Sequence, residues 1–88
     1  MANEIRPSKD VVSRRVGDEI VLVNLQSDEM YSLNPTGARA WELLGEGHDR
    51  EAIDATLADE YDVDVEEVRR ELESLLDELE HRGLVEPA

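Results

Sequence analysis

The stretch Val21-Leu22-Val23-Asn24-Leu25-Gln26-Ser27-Asp28-Glu29-Met30-Tyr31-Ser32-Leu33-Asn34-Pro35-Thr36-Gly37 decides the fold of this chain. Ile20 to Leu25 is rich in β-branched residues, Gln26 to Glu29 is a polar turn cluster and Met30 to Leu33 is a short second run, the pattern of a hairpin. Asn34-Pro35 then sets a capping residue and a proline where a helix begins. A hairpin therefore feeds straight into a helix. A sheet this small keeps an edge strand, and an edge is either covered or used.

Upstream, Val11-Val12-Ser13-Arg14-Arg15-Val16 reads as a preceding strand and Gly17-Asp18-Glu19 as its turn. Sequential strands normally pair, so the opening half is a three-stranded antiparallel meander with Met30 to Leu33 at one edge. Residues 1–10 carry no hydrophobic period and are expected to form a flexible arm, and residues 86–88 a C-terminal tail.

Downstream, a first helix is predicted from Pro35 to Leu44, with Trp41 and Leu44 on one face and Gly45 and Gly47 ending it. Asp49 caps a second helix through Tyr61, in which Ile53, Leu57 and Tyr61 recur every four residues. Asp64, with Glu67 three residues on, has the spacing of a capping box and opens the longest helix, which ends at His81-Arg82-Gly83. On that helix Val65, Val68, Leu72, Leu75, Leu76 and Leu79 fall within an arc of about 100°, the stripe of a helix packed on one side. The order of elements gives an α+β domain, in which a three-stranded antiparallel meander is followed by three helices packed on it.

With 88 residues, 40% of them hydrophobic, the chain supports one modest core but not a deep substrate cavity on a catalytic scaffold. It has no cysteine, which removes disulfides and thiolate metal sites and fits a reducing cytoplasm. No apolar run approaches the roughly 20 residues of a membrane span, and the first ten residues are not signal-like. The net charge is −14, and residues 46–88 hold 16 acidic against 4 basic side chains. Such a field repels nucleic acid and anionic membranes and attracts basic partners; acidity also serves plain solubility.

No catalytic constellation stands out. His48 lies in a glycine-flanked loop and His81 in a last helical turn, without the spacing of a metal pair. Ser27 reads as a turn residue and Ser32 as a strand residue, and the carboxylates are spread over solvated helix faces. A DNA-binding winged helix fails on charge, because the longest helix carries eight acidic residues against Arg69, Arg70 and Arg82. Trp41 reads as a core filler. Met30 and Tyr31 alternate on the edge strand, so one faces the core and the other the surface.

Taken together, Ile20 to Leu25, the run Met30-Tyr31-Ser32-Leu33-Asn34-Pro35-Thr36-Gly37, Ala40-Trp41-Glu42-Leu43-Leu44, the Tyr61-Asp62-Val63 connection and the long helix ending Arg82-Gly83-Leu84-Val85 resemble the PqqD-like family. The likeness covers residues 11 to 85 and implies a winged-helix-like domain over that span. It implies a non-catalytic protein, without cofactor or metal, that binds the leader segment of a ribosomally made precursor peptide and delivers it to a processing enzyme. As a free-standing chain it looks most like the recognition protein of lasso-peptide systems, which works with a leader-cleaving protease. A partner of a radical peptide-modifying enzyme is the alternative, and a winged-helix regulator the rival from another class. The resemblance also implies how the leader binds. It adds as a strand along Glu29, Met30, Tyr31, Ser32 and Leu33, facing Val65, Val68, Arg69, Leu72 and Leu76 of the long helix, with either flank of that helix open as the groove.

Overall fold

The structure, a computed structural model, describes residues 5–87. Strand β2 (Val11–Val16), strand β3 (Glu19–Asn24) and strand β4 (Met30–Leu33) form the expected antiparallel meander in the order β2-β3-β4. Register is set by burial. Ile20 and Leu22 point inward and pair with Leu33 and Tyr31, whereas Val21 and Val23 turn to the other face.

Three helices follow: α1 (Pro35–Gly45), α2 (Arg50–Tyr61) and α3 (Val65–His81). Their starts are the ones the sequence marks. Asn34 Oδ1 accepts from the Gly37 N–H at 2.8 Å, Asp49 Oδ1 from Ala52 at 2.8 Å and Asp64 Oδ1 from Glu66 at 2.8 Å, each satisfying an N–H that the helix itself leaves unpaired. The Asp64 cap therefore takes the Glu66 N–H rather than that of Glu67.

The core lies between the inner face of the sheet and the helices. Leu22 and Leu33 meet Ala38 and Trp41 of α1, Ile53 and Leu57 of α2, and Val68, Leu72 and Leu79 of α3. Trp41 is a core filler, as its helix face requires.

The terminal segments differ from expectation. Within the expected arm, Ile5–Pro7 forms strand β1, which pairs antiparallel with strand β5 (Val85–Pro87) in a separate two-stranded sheet, so residues 5–7 and 85–87 are paired strands of the domain. Ile5 packs on the core, Val85 is buried, and Arg6 and Glu86 form an ion pair at 3.0 Å. Each strand has three residues, too few to show a period, and the partners lie 80 residues apart. The remaining arm residues 1–4 and the last residue of the tail, 88, lie outside the described residues.

Candidate functional site

Backbone parity on β4 determines what its free edge offers. The Asn24 N–H donates to the Glu29 carbonyl at 2.9 Å, so Glu29 is bonded towards β3. Antiparallel pairs alternate, and the register places Tyr31 opposite Leu22 and Leu33 opposite Ile20. Tyr31 and Leu33 therefore spend their backbone groups on β3, while Met30 and Ser32 point theirs outward. On the far side of β3 the Leu25 N–H donates to the Asp10 carbonyl at 2.8 Å, which is the same alternation read from β2.

Side chains on β4 follow the opposite rule. Met30 is 66% exposed on the outer face of the sheet, whereas Leu33 is 1% exposed and Tyr31 half-buried on the inner face. The Arg82 guanidinium lies over the Tyr31 ring, 5.2 Å from its centroid, and is held by Glu78 at 2.6 Å. The Glu78 carboxylate beside it raises the Arg82 pKa above its ordinary value, so this cation remains charged at the end of the edge strand.

Between β4 and α3 runs a groove of about 490 Å³. Tyr31, Ser32 and Leu33 form one wall, Val68, Leu72 and Leu75 the other, and Leu57, Tyr61 and Val63 close it at the α2–α3 turn. Its floor depends on Gly37. A Cβ there would stand 3.3 Å from Asn34 Oδ1 and 3.4 Å from both Leu33 Cδ2 and Leu75 Cδ2, so the absent side chain lets α1 sit close beneath β4 and α3. Tyr61 and Val63 are each 43% exposed, apolar surface left open at the groove's end. The turn that presents Val63 uses Asp62 in the left-handed conformation, φ 55°, as the helix cap.

Of the residues the sequence named, Tyr31, Ser32, Leu33, Val68 and Leu72 line this groove, while Met30 on the same strand and Glu29 just before it lie outside it. Val65, the first residue of α3, does not line it. Arg69 and Leu76, expected in the groove, are on the opposite flank of the helix and do not line it. Arg69 Nε approaches the buried carboxylate of Asp54 at 3.7 Å, and Arg50 donates to Asp54 at 3.3 Å and to the Arg69 carbonyl at 3.0 Å. Leu76 lines a depression with Ile5 and Val85. At about 100° per residue, Glu67, Glu71 and Leu75 fall on one side of Leu72, and Leu76 and Arg69 on the other. Periodicity locates the stripe; Asp54 on α2 decides which flank is covered. The sequence reading missed Tyr61, Val63, Glu67 and Glu71 as groove residues, and the only signal for the first two was an exposed apolar pair around a turn.

The sequence matches the family model for coenzyme PQQ synthesis protein D (PqqD) over residues 19–85. The chain belongs to the PqqD family. Among solved structures this PqqD-family chain is similar to TbiB1 in complex with the TbiA(beta) leader peptide, with 38% identity, a TM-score of 0.88, and 92% of this chain and 94% of that one covered. It is also similar to a lasso peptide synthetase B1 complexed with the leader peptide, with 26% identity, a TM-score of 0.86, and 96% and 99% of the two chains covered. No curated protein shows significant similarity. The PqqD-like fold anticipated from the Tyr-Ser-Leu-Asn-Pro-Thr-Gly run is thus the fold observed. Among the described residues, no group of three or more His, Cys, Asp or Glu side chains is placed to hold a metal ion, and no helix is long and apolar enough to cross a membrane.

Proposed function

We propose that this chain is a non-catalytic recognition protein of a lasso-peptide pathway, which binds the leader segment of a ribosomally made precursor in the cytoplasm and delivers it to the leader-cleaving protease. The observation that carries this reading is the unspent backbone of Met30 and Ser32 beside an apolar groove, in a fold shared with two leader-bound relatives. A leader strand laid along β4 receives N–H and C=O groups from Met30 and Ser32, each hydrogen bond worth about 1 kcal/mol net. Its alternate side chains enter the groove between Leu33 and Leu72. Holding the precursor on a small domain raises its effective concentration at the enzyme, so the domain needs no chemistry of its own. A radical peptide-modifying enzyme would use the same mode of capture. DNA binding is disfavoured, because α3 would set its carboxylates against phosphates.

Amide hydrogen exchange, followed by NMR with and without the TbiA(beta) leader peptide, tests this reading. Exchange at Met30 and Ser32 is expected to slow at least about tenfold on binding. Peptide-induced shifts centred elsewhere, with exchange at both amides unchanged, would overturn it.

A further inference from the structure

Glu67 and Glu71 stand one helical turn apart on the groove flank of α3, and both are exposed. Among the described residues they are the only charged ones lining the groove, and neither makes an ion pair or a side-chain hydrogen bond. Other acids of the same helix are engaged, Glu66 with Arg69 at 2.5 Å and Glu78 with Arg82 at 2.6 Å. The Asp64 cap bonds the Glu66 N–H, so Glu67 is not drawn into a reciprocal capping pair. Two carboxylates thus face the space a bound strand would fill, on a chain of net charge −14.

Their spacing suits a strand. Four residues of α-helix rise about 6 Å, and two residues of strand span about 6.6 Å. Groove-facing side chains of a strand laid along α3 would therefore step in phase with Leu75, Glu71 and Glu67. We propose that Glu67 and Glu71 make this groove selective for a peptide strand carrying a lysine or arginine two residues from a bulky apolar anchor. The anchor sits against Leu33, Leu72 and Leu75, and the next groove-facing side chain meets the carboxylates. A bound strand also displaces water from the groove, so these charges are screened less than on open surface. An acidic residue at that position meets repulsion with nothing to offset it, which excludes competing peptides. The inference rests on strand addition at β4 and adds to it the chemistry of the ligand.

The test is selection of a phage-displayed random peptide library on the wild-type protein, with Ser32→Pro as a control for the strand edge. The expected pool carries Lys or Arg two positions from a large apolar residue. Synthetic peptides from it should bind Glu67→Gln/Glu71→Gln about three- to tenfold more weakly, and the gap should narrow in about 1 M salt. Selection on Glu67→Lys/Glu71→Lys should enrich Asp and Glu instead. Peptides that lose binding to folded Ser32→Pro but show no basic enrichment and bind the Gln pair as tightly as wild type would overturn the charge selection and leave strand addition standing. Peptides that bind folded Ser32→Pro as well as wild type would overturn both.

Discussion

The Asn24 backbone N–H donates to the Glu29 carbonyl at 2.9 Å, and this bond sets the parity of the whole edge strand. The Asn24 side chain reinforces it. Its Oδ1 accepts from Gln26 at 2.9 Å and Ser27 at 3.4 Å, while Nδ2 donates to the carbonyls of Arg82 at 3.2 Å and Gly83 at 3.3 Å. One buried amide thus ties the β3–β4 turn to the end of α3.

Asn24→Ala is expected to destabilise the domain by about 1–3 kcal/mol, because it removes four part-buried hydrogen bonds that join the turn to the helix end. Urea denaturation followed by Trp41 fluorescence measures this. A variant within about 0.5 kcal/mol of wild type would show that the amide does not hold the turn to the helix.

Tyr61→Ala removes exposed apolar surface from the end of the groove while leaving the core residues Ile53 and Leu57 in place. Affinity for the TbiA(beta) leader peptide should fall about fivefold to thirtyfold, from roughly 1–2 kcal/mol of lost burial. Fluorescence polarisation reads the affinity and circular dichroism the fold. Unchanged binding would remove the α2–α3 turn from the site.

Arg69→Ala should separate the two flanks of α3. It withdraws one cation from Asp54, which is 3% exposed, and so should lower stability modestly, yet it should leave peptide affinity within about twofold of wild type. A large loss of affinity in the folded variant would place the peptide on the Asp54 side.

Arg39 bridges α1 and α2 by donating to both carboxylate oxygens of Glu60, at 3.0 and 2.9 Å. Hydrogen bonding from Arg39 lowers the Glu60 pKa below the ordinary 4.5. The stabilisation is therefore complete above 4.5 and is lost as pH falls through the lowered folded value. Glu60→Gln should be less stable than wild type at pH 7, and the difference should shrink at an acidic pH well below 4.5. Urea midpoints at the two pH values test this, and a gap that persists unchanged at the lower pH would contradict the ion pair as its cause.

Local signals made most of the fold legible. The meander follows from alternation between Ile20 and Leu33, and the helix starts from Asn34, Asp49 and Asp64, whose side chains cap within three residues of themselves. The pairing of Ile5–Pro7 with Val85–Pro87 was not legible, because three-residue strands at opposite ends of the chain leave no local pattern. The position of Met30–Leu33 at the sheet edge was legible for the same reason as the meander. The groove flank of α3 was not, since its apolar stripe serves core and groove alike and the side is chosen by a contact to Asp54 on another helix.

The most direct measurement of the central claim is a proline comparison on β4. Proline removes an N–H and fixes φ. Ser32→Pro deletes a donor that faces the open edge, whereas Tyr31→Pro deletes one bonded to β3. Circular dichroism and polarisation with the TbiA(beta) leader peptide are expected to show Ser32→Pro folded but at least about tenfold weaker in binding, and Tyr31→Pro destabilised. Wild-type affinity in a folded Ser32→Pro variant would contradict strand addition at this edge.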